Sequence, residues 1–166
     1  MVQIDGYEAG CVKLALLEPT DGPALRRLFF RLSPETVYRR FHSPVVRPEQ
    51  TQPQRLLDID HHRREAVVAV EDGEIVGVAR YVGRPGSDSA EIAIVVADEW
   101  HRQGIATRML SALHDRAEAE GITEFRLAIQ ADNRPMLELF RRFYPGLRGR
   151  SSYGMYEAVV PVARIA

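Results

Sequence analysis

Cysteine, lysine and tryptophan are almost missing from this chain: Cys11, Lys13 and Trp100 are single copies in 166 residues. One cysteine excludes an intrachain disulfide and fits a reducing compartment, so the expected location is cytoplasmic. Long apolar runs are missing too. Ala66 to Val70 and Ile92 to Ala97 fall far short of the roughly 20 residues a membrane helix needs. The start carries Asp5, Glu8 and Glu18 rather than a basic stretch and an apolar run, so a secretory leader is not expected. Net charge is lacking as well: 22 Lys plus Arg against 23 Asp plus Glu leaves −1, which argues against wholesale nucleic-acid binding. There is no internal repeat and no low-complexity segment.

What the chain does have is a composition of 45% hydrophobic and 27% charged residues with 12 Gly and 10 Pro, enough for one packed core. The length suits a single domain over 1–166, with 1–10 expected as a loose arm. Apart from Lys13, every basic residue is an arginine, the side chain suited to bidentate phosphate contacts.

The pattern along the chain predicts a mixed α/β fold. Val12 to Leu17 reads as a strand, and Thr20-Asp21 as the cap of a helix through Leu25, Leu28 and Phe29. Ser33 followed by Pro34 starts a short helix to Phe41, and Thr51 to Asp58 suits a third. Ala66 to Val70 and Ile75 to Val82 flank Asp72-Gly73, a hairpin signal. Ala90 to Val96 is apolar on both faces except at Glu91, as in a central strand. Ile105, Met109, Leu113 and Ala117 follow a helical period that Gly121 ends. Phe125 to Ile129 predicts a strand, Asn133 to Phe143 a helix, and Ser151 to Val160 a closing strand. A central mixed sheet of about six to seven strands flanked by helices accounts for this order.

The turn Glu99 to Thr107 leaves a buried strand and opens the longest helix. Free backbone N–H groups and the positive helix end make it a candidate anion site, with Gly104 and Ala106 leaving room for phosphate. The lysine of a nucleotide P-loop is missing, so the anion is read as a handle rather than a reactant. A tight turn that needs a small residue is the other reading.

Val95 to Leu110 followed by Asn133-Arg134-Pro135-Met136-Leu137 resembles the two acyl-CoA-binding motifs of the GNAT N-acetyltransferase superfamily. The first motif reads Gln or Arg, two free positions, Gly, one free position, then Gly or Ala. Here His101, Arg102, Gln103, Gly104, Ile105 and Ala106 fill it, with His101 departing from the pattern. Leu32 to Thr36, Tyr38 to Phe41, Asp72 to Tyr81 and Ala90 to Ala93 are similar to the catalytic domain of Pat-type protein lysine acetyltransferases. In that group a regulatory or acyl-CoA-synthetase-like domain is often fused to the catalytic one, and none is expected within 166 residues.

The resemblance implies the GNAT fold and acetyl-CoA as co-substrate, with transfer to an amine, preferably a protein lysine. The pyrophosphate is then expected on the backbone of Gln103 to Thr107, with His101 and Arg102 beside it. The pantetheine is expected along Ile94, Val95 and Val96 and near Asn133 and Met136, with the Val95 N–H polarising the thioester. Asn133 either caps its helix, contacts the pantetheine, or does both.

Glu91 is the candidate general base. A carboxylate on an apolar strand costs several kcal/mol unless hydrated, paired or neutralised. A lysine with pKa about 10.4 needs roughly 4 to 5 kcal/mol to be neutral at pH 7, which a nearby base offsets. A strand-end carboxylate facing solvent, or paired with Arg80, is the alternative. The tyrosine that many superfamily members use as general acid is Phe140 here, and Tyr144 is the nearby phenol. His114 is expected on the surface or at a cap, and His61-His62 lack metal-pair spacing, so no metal is assigned. The arginine clusters Arg26-Arg27-Arg31, Arg39-Arg40, Arg141-Arg142 and Arg148-Arg150 are expected to be mostly solvated faces paired with acids, with some meeting the adenosine 3′-phosphate. The remaining alternatives are a small-molecule amine acceptor and a non-catalytic acyl-CoA-binding module. No membrane or nucleic-acid partner is expected, and the chain is a monomer or a homodimer.

Overall fold

A computed structural model describes residues 1–4, 12–41 and 53–162. Thr51, where the third predicted helix begins, lies outside the described residues. The strands are β1 (Val2–Gln3), β2 (Lys13–Leu16), β3 (Arg64–Glu71), β4 (Glu74–Gly83), β5 (Ser89–Val96), β6 (Glu124–Gln130), β7 (Gly149–Ser152) and β8 (Met155–Pro161). They form one sheet in the order β1-β2-β3-β4-β5-β6-β8-β7. Every pairing is antiparallel except β5 with β6. The helices are α1 (Gly22–Arg31), α2 (Pro34–Phe41), α3 (Pro53–Leu56), α4 (Ile105–Ala119) and α5 (Arg134–Phe143).

The alternation of side chains along β5 divides the core in two. Ile92, Ile94 and Val96 pack into the cluster that holds Met109 and Leu113 of α4 and Leu137 and Phe140 of α5. Val95 and the following Ala97 face the other way, into the cluster of Leu25, Leu28 and Phe29 of α1 and Val37 of α2. A strand with apolar residues on both faces is therefore sandwiched, as its composition predicts.

The sheet differs from expectation at its two ends. Val2 and Gln3 pair with Leu16 and Ala15, so the first residues of the expected loose arm form a short edge strand. The closing strand is a hairpin: Tyr153 (φ 49°) and Gly154 (φ 75°) make a left-handed turn between β7 and β8. Tyrosine is an uncommon residue at such a φ, which is why the turn escapes notice in the sequence. The Asp72-Gly73 turn, with φ of 49° and 79°, conforms to the pattern.

Behind the sheet, Glu65 of β3 is fully buried and bonded on both oxygens. Oε1 accepts from the Ala66 N–H at 2.9 Å and lies 3.0 Å from His61 Nδ1. Oε2 accepts from Arg116 of α4 at 3.1 and 3.0 Å. The His61-His62 pair thus serves the fold: the His62 carbonyl accepts from the Tyr81 hydroxyl at 3.0 Å.

Burial alone would lower the His61 pKa, but hydrogen bonds and charge from Glu65 and Glu18 outweigh it and hold the imidazole above its ordinary value of 6.5. A folded-state pKa above the unfolded one means the stabilisation is complete below pH 6.5 and is lost as pH rises through the folded value. The melting temperature of the wild type should therefore fall between pH 6 and 8 by more than that of His61→Gln, as read by calorimetry.

Candidate active site

β5 and β6 run in register for three residues, Ser89↔Glu124, Ala90↔Phe125 and Glu91↔Arg126, and then separate. β6 continues against β8 along its whole length, so among the described residues the remainder of β5 has β4 as its only strand partner. The β4–β5 register is regular from Gly77↔Val96 to Gly83↔Ala90. At its two ends the Ala97 N–H donates to the Val76 carbonyl at 2.8 Å, and the Arg84 N–H to the Ser89 carbonyl at 2.9 Å. Odd-numbered residues of this segment therefore turn their backbone groups to β4, and even-numbered ones turn theirs to the gap. The Val95 N–H, expected to polarise a substrate carbonyl, is committed to β4. The amides facing the gap are those of Ile94 and Val96.

The turn into α4 closes one end of this gap. Arg102 (φ 61°) and Gly104 (φ 76°) are both left-handed, and Gly104 is the N-cap of α4. The first backbone bond beyond the turn is from the Arg108 N–H to the Gly104 carbonyl at 3.1 Å. Among the described residues, the N–H groups of Arg102 to Thr107 have no backbone acceptor. They are the orphan donors of a helix start, at the positive end of the 15-residue α4. A Cβ built on Gly104 meets nothing within 4 Å, so the space in front of these amides is open.

His101 does not copy the motif's side chain but holds the turn. Its Nε2 donates to the Val96 carbonyl at 2.8 Å, satisfying one backbone group of the separated edge. Asp98, in the same turn, accepts from the Ser33 N–H at 3.0 Å, the Ser33 hydroxyl at 2.8 Å and the Thr36 hydroxyl at 2.8 Å. Burial opposes ionisation of Asp98, but these bonds and the charge of His101 hold its carboxyl below the usual range. The Ser33 hydroxyl also accepts from the Thr36 N–H at 3.2 Å. The start of α2 is thereby clasped to the turn that starts α4.

The gap widens into a cleft of about 1820 Å³. Asn133, Pro135, Met136, Leu139 and Phe140 of the α5 region line it on one side, and Glu91, Ala93, Val82 and Arg80 on the other. Glu91 is exposed within it, at the last residue before β5 and β6 part. It stands opposite Val82, and no side-chain ion pair ties it to Arg80 among the described residues. The carboxylate is thus accommodated by solvent in the cleft rather than by a cation. Asn133 is buried, and its side-chain oxygen accepts from the Met136 N–H at 3.3 Å, so the capping role holds.

Arginines dominate the cleft in a way the net charge hides. Eleven line it, from Arg39 and Arg40 of α2 to Arg148 and Arg150 near β7, against four acids, Asp58, Glu91, Glu138 and Glu157. Sequence reasoning named several of these arginines as solvated faces and missed their convergence.

A family model described as the acetyltransferase (GNAT) family matches residues 29–143. The chain belongs to this family. The Acetyltransferase Pat of Mycolicibacterium smegmatis is 32% identical over 114 residues, 66% of this chain and 34% of that protein. The chain thus spans about a third of the length of that curated relative. The GNAT domain of S. lividans PAT shares the fold with a TM-score of 0.82 at 22% identity, covering 94% of this chain and 99% of that one. The paia N-acetyltransferase from Thermoplasma acidophilum, in complex with coenzyme A, shares it with a TM-score of 0.75 at 14% identity, over 91% and 99% of the two chains.

In this GNAT domain Phe140, which the resemblance sets where many superfamily members have a tyrosine, is buried and stacks on Tyr144 with centroids 6.2 Å apart. Tyr144 does not line the cleft. Its ring packs against Phe143 and His114, and its hydroxyl is buried without a hydrogen-bond partner. Burial pushes its pKa up. His114, expected on the surface or at a cap, is itself buried between Phe125, Phe143 and Tyr144. A phenol without a partner costs stability rather than serving as an acid. Tyr144→Phe should therefore leave transfer rates unchanged and stabilise the fold by about 0.5 to 1 kcal/mol, measured by urea unfolding.

Proposed function

We propose that the chain is an acetyl-CoA-dependent N-acetyltransferase whose acceptor amine is a protein lysine, and that it works in the cytoplasm as one catalytic unit. The observation that carries this reading is the run of acceptor-free amides from Arg102 to Thr107, opening onto the same cleft as Glu91. Membership of the GNAT family and likeness to the Acetyltransferase Pat of Mycolicibacterium smegmatis support it. The lysine acceptor follows from the Pat-type resemblance.

The donor set fits an acyl-CoA. The amides of Gln103 to Thr107 would hold the pyrophosphate, with Arg102 beside them and open space in front of Gly104. The edge of β5 at Ile94 and Val96 offers backbone groups spaced for an extended amide chain such as pantetheine. The Asn133 side-chain oxygen is used by its cap, which leaves the NH₂ group as a donor toward the cleft. Acetyl-CoA supplies the activated acyl group as a thioester.

Glu91 accepts the proton of the incoming ammonium, directly or through one water, and the freed nitrogen lone pair attacks the thioester carbonyl. Negative charge developing on that oxygen is met by an N–H of Ile94 or Val96. The nitrogen then gives its second proton to water, the C–S bond breaks, and the departing thiolate, with a pKa near the 8.5 of a cysteine thiol, takes up that proton. Phe140 excludes water from one wall and donates nothing.

Two substitutions separate binding from chemistry. Gly104→Val puts a side chain where the phosphates would sit and strains a left-handed residue by about 1 to 2 kcal/mol. It should lower the melting temperature modestly and abolish the rise that coenzyme A gives the wild type. Glu91→Gln should keep that rise and lose about 10²-fold in kcat against a lysine peptide, with partial recovery at high pH, where more amine is already neutral. A Glu91→Gln rate within a few-fold of wild type at pH 7 would move the base elsewhere, with His101 the next candidate.

A further inference from the structure

One end of the cleft contains two guanidinium groups that no carboxylate pairs with among the described residues. Arg80 of β4 lies on the same face of the sheet as Glu91, opposite Ala93 and so diagonal to it across the two strands. Its side chain lines the cleft although the residue is only 8% exposed. One terminal nitrogen donates to the Arg55 carbonyl at 3.2 Å, and its Nε is buried without a partner. Arg40 reaches the same place from α2, with its guanidinium 4.9 Å above the Phe41 ring. The neighbouring cations are provided for: Arg39 pairs with Glu35 at 2.6 Å, and Arg64 with Asp58 at 2.7 Å. Neither Arg40 nor Arg80 has a carboxylate partner among the described residues.

Such an arrangement is costly without an occupant. Burial, followed by the positive charge of Arg80, lowers the Arg40 pKa to about 10, a measure of how poorly the pair is compensated. Burial also lowers the pKa of Arg80, which the charge of Asp58 only partly offsets. A buried charge without a counter-ion is strongly unfavourable, and a carboxylate accepting from two guanidinium forks is the geometry that relieves it.

We propose that Arg40 and Arg80 form a carboxylate subsite that selects acceptor lysines flanked by an aspartate or glutamate. The proposal rests on the reading of Glu91 as the base for a lysine acceptor and names the acceptor's chemistry. Diagonal neighbours on adjacent strands have Cβ atoms about 7 to 8 Å apart or somewhat less. An amine at Glu91 and a carboxylate at the arginine pair are therefore within reach of one short peptide segment.

The test uses two fluorescein-labelled peptides that differ only in whether glutamate or glutamine flanks a central lysine. Binding is read by anisotropy on protein saturated with coenzyme A, which cannot react, and transfer is read separately with acetyl-CoA. The glutamate peptide should bind at least tenfold tighter, and kcat/KM should follow. Arg80→Met and Arg40→Met should each reduce the difference to within about twofold while the coenzyme A melting shift is retained. If Arg80→Met does not fold, Arg40→Met, on the less buried partner, decides. Equal binding of the two peptides by wild type, or a difference that survives Arg40→Met, overturns the proposal. A difference in binding without any transfer upholds the subsite and refutes the lysine chemistry instead.

Discussion

β5 lies between β4 and β6 in the one sheet and cannot stay paired with both along its length. Its register with β4 is regular to the end, while β6 is drawn along its full length onto β8, so the two central strands must part after Glu91 and Arg126. Backbone groups left unpaired inside a fold are expensive, and each needs another partner. The Val96 carbonyl finds one in the His101 ring. The amides of Ile94 and Val96 are directed into the opening. Separation of the strands thus creates the cleft and supplies polar groups along its edge, and the start of α4 brings a second set of free donors to the same opening. The free donors of the strand edge and those of the helix start meet because the edge freed by the break in the ladder runs up to the turn that begins α4.

Much of this is visible in local sequence, wherever a residue's conformation depends only on its neighbours. Asp72-Gly73 makes its turn, Gly104 caps α4 in a left-handed conformation, and the helical period from Ile105 to Ala117 is kept. What escapes sequence reasoning depends on distant partners. Whether Val95 or its neighbours present an N–H to the cleft is decided by parity against β4, whose Val78 lies opposite Val95 from seventeen residues earlier in the chain, and a shift by one residue reverses the answer. The Tyr153-Gly154 turn breaks the usual residue preference, so two strands read as one. His114 carries no sign of being buried, because the aromatic rings around it come from β6 and the end of α5.

The charge balance gives a similar lesson. A net charge of −1 describes the far field and says nothing about the interior of a concave surface. The acids near the cleft are spent on a few of its arginines, Glu35 on Arg39 and Asp58 and Asp60 on Arg64, while Glu74 pairs with Arg27 away from it. The cleft keeps the surplus cations. Pairs such as Arg40 and Arg80 are forty residues apart in sequence, and only the packing of α2 over β4 and β5 brings them together.

Lys13 sits in β2, opposite Val70 of β3 and partly buried. It is the only lysine among 22 cationic side chains. A catalyst of lysine acylation with this composition has almost nothing of its own to modify. The arginines that line its cleft are chemically inert to a thioester at neutral pH, whereas lysines in those positions would be the nearest nucleophiles to every bound acyl group. Replacing lysine with arginine throughout therefore gives an enzyme of the proposed kind a low self-labelling background, and leaves its activated acyl groups for other proteins.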